Sequence, residues 1–145
     1  MIKILLFSSL FLQFHAQDLL DQRVLDYGHF VPLYEYGSVV KAMKEVIDIM
    51  RYSISHRDLI IKFDQSTTAT CIPFLEFDKR RLQQVLMNLL SNACKFTHDG
   101  VIEVYARARL CLGERNAVLI EVSVADQGIG IARKDLEYIF KPFRM

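Results

Sequence analysis

The chain has 145 residues, 52% of them apolar and 24% charged, with a formal net charge of +1. That length suits one domain able to bury roughly two thirds of the surface its unfolded chain exposes, and the balance excludes a disordered segment. No Lys/Arg block is long enough to track a phosphate backbone, the densest being Lys79-Arg80-Arg81 at an expected helix start, so a nucleic-acid footprint is excluded as well.

Lys3 and the apolar run Ile4 to Phe14 have the length of a signal-peptide core and not of a membrane span. A cut after Ala16 would, however, put bulky Phe14 where a small residue is wanted. From Leu5 to Tyr27 no helix breaker occurs, and Leu6, Leu10, Phe14, Gln17, Leu20, Val24 and Tyr27 recur at helical spacing. This predicts a helix with one partner-facing stripe, ended by Gly28 and Pro32. Ser38 is placed to cap a second helix running to about His56, with Val39, Met43, Val46, Ile47, Met50 and Ile54 on a face that should pack on a sheet. Leu59 to Phe63 and Ile72 to Phe77, on either side of a polar turn at Gln65 to Thr68, read as strands.

Asp78 can cap the strongest helix, in which Leu82, Val85, Leu86, Leu89, Leu90 and Ala93 keep the helical period. Asp99 and Gly100 supply a turn, after which Val101 to Leu110 and Ala117 to Ala125 read as an antiparallel hairpin about a loop at Gly113 to Asn116. Asp126 to Gly130 break the strand, and Arg133 to Phe140 begin a short helix. No internal repeat or low-complexity tract divides the chain, and Cys71, Cys94 and Cys111 fit neither a disulfide framework nor a zinc site, so they read as free thiols.

Three segments carry chemistry. On the strongest helix Asn88 and Asn92 are one turn apart and Lys95 follows, so two amides and an ammonium project from its polar face. An amide oxygen is a hard ligand for Mg²⁺, and Lys neutralises phosphate charge without competing for the metal; the same row is also what a merely solvated face would show. Val122 to Ile131 is a hydrophobic strand that delivers Asp126 into a loop with Gly128 and Gly130, where a carboxylate can accept a hydrogen bond from an exocyclic amine and glycine lets backbone approach a ring or phosphate. Neither a Rossmann fingerprint nor a P-loop is present, since there is no third glycine and no Gly-Lys-Ser/Thr. The tail Tyr138 to Phe143 sets Phe140 and Phe143 around Lys141-Pro142.

In order and spacing these segments resemble the sensor histidine kinases of two-component systems. Asp78-Lys-Arg-Arg-Leu-Gln-Gln-Val-Leu-Met-Asn-Leu-Leu-Ser-Asn-Ala-Cys-Lys-Phe-Thr97 closely resembles their N box, Asp126-Gln-Gly-Ile-Gly-Ile131 looks like their first glycine box, and Ile139-Phe-Lys-Pro-Phe143 is similar to their F box. Asp18-Leu-Leu-Asp21 and Gly28 to Phe30 look like the end of the second dimerisation helix and the linker that follows it. The resemblance implies residues 1–30 as a dimerisation-helix remnant and 31–145 as a partial ATP-binding domain. It implies a GHKL-type α/β (α+β) two-layer sandwich, with a mixed sheet packed on helices, preceded by an N-terminal helix and incomplete at the C-terminus.

By position it implies ATP and Mg²⁺ as ligands. Asn92 would coordinate the metal, Asn88 a phosphate or a metal-bound water, Lys95 a phosphate and Asp126 the adenine edge, with Phe96, Gly128, Gly130, Phe140 and Phe143 completing the ATP-binding set. Implied partners are a second copy through the N-terminal helix of the full-length protein and a response-regulator receiver domain. The catalytic part would lie on the cytoplasmic side, whether or not the full protein is membrane-anchored. Gyrase, mismatch-repair and chaperone relatives carry a Glu one turn before the metal-binding Asn to activate water; here that position is Asn88, and an amide cannot act as the base. Slow hydrolysis and transfer to a protein side chain fit that difference.

Two features depart from the pattern. The phosphoacceptor His-Glu motif is absent: His15 is followed by Ala16 and is too close to the Asp-Leu-Leu-Asp stretch, and His29, His56 and His98 fall in turns or at element ends, where they read as surface residues. The second glycine box, last helix and final strands expected after the F box do not precede Met145, which would leave a hydrophobic strand edge unpaired. The chain is therefore expected to bind ATP weakly or not at all and not to autophosphorylate. Competing readings are a non-enzymatic, degenerate kinase fragment that pairs through its Leu6 to Tyr27 helix, and a secreted protein of unrelated α/β fold processed after Ala16.

Overall fold

A computed structural model describes residues 9, 12, 16, 31–64, 74–110 and 118–139. Ser9, Leu12 and Ala16 have helical backbone, while the rest of the expected Leu5 to Tyr27 helix lies outside the described residues, as do Asp18 to Asp21, Cys71, Cys111, the loop at 113–116, Phe140 and Phe143.

The first described element is a strand that local pattern does not announce. β1 (Glu35–Ser38) pairs antiparallel with β3 (Phe74–Phe77), Glu35 opposite Phe77 and Ser38 opposite Phe74, and Tyr36 stacks on Phe74 with ring centroids 6.0 Å apart. Between them in sequence come helix α1 (Val39–Ser53) and strand β2 (Leu59–Asp64). After β3 follow helix α2 (Lys79–Phe96) and the hairpin strands β4 (Gly100–Leu110) and β5 (Val118–Ala125). β2 pairs in parallel with β4, and β4 antiparallel with β5, giving a mixed sheet of order β2-β4-β5.

Both helices start as their caps dictate. The Ser38 hydroxyl accepts from Lys41 N at 3.2 Å, and Asp78 Oδ1 accepts from Arg81 N at 2.9 Å. The other oxygen of Asp78, Oδ2, accepts from Leu33 N at 3.0 Å, which fastens the chain entering β1 to the start of α2. The inner faces then pack on the sheet. Val39, Met43, Val46, Ile47 and Met50 of α1 join Leu86, Met87, Leu90, Ala93 and Cys94 of α2 over Ile61, Ile102, Val104 and Ala106. The register sets inward residues opposite one another, Ile61 against Ile102 and Val104 against Val124, so a one-residue slip would turn a whole strand's apolar set to solvent. Each fully buried Leu, Ile or Met contributes on the order of 1.5–3 kcal/mol by leaving water. Polar bonds fix how the helices sit on one another: Gln83 Nε2 donates to Ala42 O at 3.1 Å and to Glu45 Oε2 at 2.9 Å, and Lys79 Nζ lies 3.1 Å from the same carboxylate.

The helices expected after Ser38 and Asp78, their caps and the hairpin are present, but two expectations need correction. Val85 and Leu89, read as part of the apolar stripe, face outward and are 57% and 41% exposed. The apolar positions of α2 span more than one stripe, and the sheet takes the one centred on Leu86, Leu90 and Ala93. The segment Arg133 to Ile139, expected to begin a helix, is a run of turns held by i→i+3 bonds such as Asp135 N to Ala132 O at 2.8 Å and Tyr138 N to Asp135 O at 2.9 Å. All of its side chains are exposed, so no apolar face is buried to stabilise an α-helix.

Candidate functional site

The last two turns of α2 present Asn88, Asn92, Lys95 and Phe96 on the face turned away from the sheet, all exposed. Among the described residues neither Asn side chain has a hydrogen-bond partner, so both amide oxygens are open to an external ligand. Lys95 Nζ lies 5.1 Å from the Phe96 ring centroid, a cation–π contact that keeps the ammonium beside this face.

The helix ends at Thr97, which is 0% exposed, and here it meets the loop that follows β5. Ile129 N donates to Phe96 O at 3.4 Å, and Thr97 Oγ1 donates to Asp126 Oδ1, also at 3.4 Å. The same Oδ1 accepts from Gly128 N at 2.8 Å, an Asx turn that bends the chain directly after the strand. Oδ1 is thereby engaged within the protein, and no described residue donates to Oδ2, which is left to accept from outside.

The two glycines have different reasons. A Cβ on Gly128 would stand 2.5 Å from Phe96 O and 2.7 Å from Asp126 Oδ1, so only glycine lets the loop lie on the helix end. Gly130 has φ +68° with nothing within 4 Å of a Cβ, so its backbone conformation, not crowding, is what calls for glycine.

The helix end and the loop are thus one structure: Phe96, Gly128 and Asp126 meet directly, and Asn92 sits one turn before Phe96 on the same face. At this junction Phe96 and Ile129 leave apolar side chains exposed to solvent. Phe140 and Phe143 lie outside the described residues.

Three residues beyond those singled out in the sequence build the site. Thr97 holds Asp126, and Gln127 Oε1 accepts from Val101 N at 3.1 Å, tying the loop to the start of β4. Arg57 donates from Nη1 to Cys94 O at 2.7 Å and from Nη2 to Thr97 O at 3.0 Å, closing the C-terminal turn of α2. Thr97 follows the last residue of a periodic helix and in that sense was findable; Arg57 is 37 residues from Cys94 and has no local signal. Cys94 is a buried free thiol, where burial pushes its pKa up more than the Arg57 charge pulls it down, so it remains protonated and inert.

No set of three or more His, Cys, Asp or Glu among the described residues could cage a metal ion. The donors that are present, two neutral amide oxygens beside a lysine, fit a hard cation that shares its coordination with phosphate oxygens and water. An open groove of about 650 Å³ along the outer side of the sheet, lined by residues such as Ile60, Lys62, Glu103 and Tyr105, includes none of the site residues.

Residues 77–145, from just before the α2 cap through the Asp126 loop, match the family described as Histidine kinase-, DNA gyrase B-, and HSP90-like ATPase. This part of the chain belongs to that family. Among curated relatives the chain is 37% identical over 128 residues to the autoinducer 2 sensor kinase/phosphatase LuxQ of Vibrio cholerae, covering 87% of this chain and 14% of that protein. It is 31% identical over 129 residues to the cell-division control histidine kinase PdhS of Brucella ovis, covering 89% of this chain and 12% of that protein. It is 35% identical over 127 residues to the non-motile and phage-resistance protein of Caulobacter vibrioides, again 87% against 14%. The chain therefore spans about one seventh of the length of these relatives.

Solved histidine kinases share the fold. The Acinetobacter baumannii histidine kinase AdeS superposes with a TM-score of 0.66 at 24% identity, over 96% of this chain and 66% of that one. Full-length ShkA, solved in complex with AMPPNP, gives 0.61 at 24% identity, over 84% of this chain and 25% of that one. The helices on a mixed sheet are thus those of a histidine kinase-type ATPase domain. No described helix is long and apolar enough to cross a membrane.

Proposed function

We propose that the chain is the ATP-binding part of a sensor histidine kinase and holds Mg²⁺ and ATP between the outer face of α2 and the Asp126 loop. The observation that carries this reading is the contact of Phe96 with Gly128, with Asp126 Oδ2 left open and the bare amides of Asn92 and Asn88 one and two turns back along the helix. Asp126 Oδ2 accepts a hydrogen bond from the exocyclic amine of adenine, Phe96 lies beside the base, and Asn88 and Lys95 face the phosphates. Asn92 would hold Mg²⁺, which when bound neutralises phosphate charge. Gly130, Phe140 and Phe143 complete the ATP-binding set. That a relative in fold was solved with AMPPNP supports the choice of ligand.

The reaction in this reading is transfer of the γ-phosphoryl group to a histidine and from there to a receiver aspartate, a chemistry in which positioning and charge neutralisation carry most of the catalysis. Asn88 cannot take a proton from water, which disfavours a dedicated ATPase. His56 and His98 are exposed, stand at element ends and are not followed by Glu, so neither is the acceptor in this reading. Pairing of the full-length protein through the expected Leu5 to Tyr27 helix, a receiver domain as downstream partner and a cytoplasmic catalytic part belong to the same proposal.

Titration with ATP and Mg²⁺ tests it. Weak binding that Asp126→Asn and Asn92→Ala each reduce supports the reading, and radiolabel from γ-labelled ATP stays off the isolated chain. Self-association indifferent to both substitutions, with no nucleotide bound, would instead favour a non-enzymatic interaction module.

A further inference from the structure

The turn between α1 and β2 lies outside every motif singled out in the sequence, yet it touches both supports of the Asp126 loop. From it, Arg57 reaches the end of α2 and bonds two carbonyls, Cys94 O inside the last turn at 2.7 Å and Thr97 O just past it at 3.0 Å. The neighbouring Asp58 O accepts from Gly100 N at 3.0 Å, which fixes the start of β4, and the next residue, Val101, is the one Gln127 grips at 3.1 Å. The last carbonyls of a helix have no partner of their own, and a guanidinium fork satisfies two of them at fixed geometry where an ammonium would satisfy one less rigidly.

We propose that Arg57 is a positioning residue for nucleotide recognition: by clamping Cys94 O and Thr97 O it sets where Thr97 Oγ1 and Phe96 O meet Asp126 and the backbone at Gly128 and Ile129. It touches no ligand. Its effect travels through Thr97 Oγ1 to Asp126 Oδ1 and through Phe96 O to Ile129 N, and so determines where Asp126 Oδ2 points. The inference rests on the nucleotide reading above only for its consequence, discrimination at the base, and not for the clamp itself.

The test uses the whole chain with Arg57→Ala and Arg57→Lys, and Arg51→Ala as control, since Arg51 also makes a side-chain bond to a carbonyl, Ile61 O at 3.0 Å, without reaching α2. In the absence of nucleotide, Arg57→Ala should speed hydrogen exchange at the Gly128 and Ile129 amides at least tenfold and shift their resonances. Arg57→Lys should recover part of the protection, and Arg51→Ala should leave it unchanged. With Mg²⁺ present, Arg57→Ala should cut the preference for ATP over GTP at least tenfold while the affinity for inorganic triphosphate stays within twofold. Wild-type amides at Gly128 and Ile129 in Arg57→Ala, or in Arg57→Lys should the alanine variant fail to fold, overturn the proposal, as does an unchanged base preference alongside perturbed amides. A wild-type chain with no base preference sinks the nucleotide reading instead, and the amide arm still decides whether Arg57 positions the loop.

Discussion

On the face of α2 turned to the sheet, Leu86, Met87, Leu90, Ala93 and Cys94 are all buried, whereas the opposite face sets exposed Val85, Leu89 and Phe96 beside Asn88, Asn92 and Lys95. Folding accounts for the first face completely, because every side chain on it leaves water for a packed neighbour. It accounts for none of the second. Amides without partners and apolar groups left in solvent add nothing to the stability of α2, and together they make a surface that only a ligand or partner can complete. The contrast separates residues that hold the helix in place from residues that the helix holds in place.

The contrast can be tested from its strongest side downward. Leu90→Ala should cost about 2–5 kcal/mol in urea unfolding, since the residue is 0% exposed and its cavity cannot collapse between two helices and a sheet; a cost under about 1 kcal/mol would mean the inner face is not a packed core. Gly128→Ala should cost about 1–3 kcal/mol, because the added methyl meets the Phe96 backbone oxygen, which cannot swing aside as a side-chain tip would. It should also weaken nucleotide binding, so this one position joins the two faces. Asp126→Asn keeps an oxygen for Thr97 and Gly128, and Asn92→Ala removes an exposed amide, so both should change stability by no more than about 0.5 kcal/mol. Each should nonetheless lower ATP affinity on the order of tenfold in calorimetric titration, about 1.4 kcal/mol. Stability losses larger than the affinity losses would erase the distinction between the faces.

The smallest expected effect lies at the helix–helix contact. Burial pushes the Glu45 carboxyl up, but hydrogen bonds from Lys79 and Gln83 and the charges of Lys79 and Lys41 outweigh it and hold its pKa below the ordinary glutamate value. A depressed folded-state pKa contributes stability that is present above the unfolded value and is lost as pH falls through the folded one. The contribution is about 0–1 kcal/mol, because the pair is partly exposed and screened. Urea midpoints of Glu45→Gln and the wild type should therefore differ near neutral pH and converge in acid, below the ordinary carboxylate range.

Much of this was legible in the residues. Ser38 and Asp78 cap the helices expected of them, the hairpin strands fall within a residue or two of their expected bounds, and Asp126 emerges from a strand into a glycine turn. What escaped depends on contacts distant in sequence. β1 is four residues long and contains Gly37, and it is a strand only because β3 supplies partners some forty residues away. β2 and β3 flank one polar stretch yet belong to different sheets, which no local pattern encodes. Helical spacing showed that Val85 and Leu89 could share a stripe with Leu86 and Leu90, but the sheet decides which stripe is buried. The site was legible as residue types at spacings; that Gly128 rests on the Phe96 carbonyl, and that Arg57 closes the helix above it, is tertiary information.

The most direct test is a titration of the isotopically labelled chain with Mg²⁺ and AMPPNP, following amide and side-chain resonances across the molecule. The side-chain amides of Asn88 and Asn92 and the backbone amides of Asp126 to Ile129 should move together along one binding curve, while Ile60 and Tyr105 on the outer side of the sheet stay still. Shifts at Asp126 without shifts at Asn92, or shifts confined to the outer groove, would show that the amide row and the carboxylate loop do not form a single nucleotide pocket.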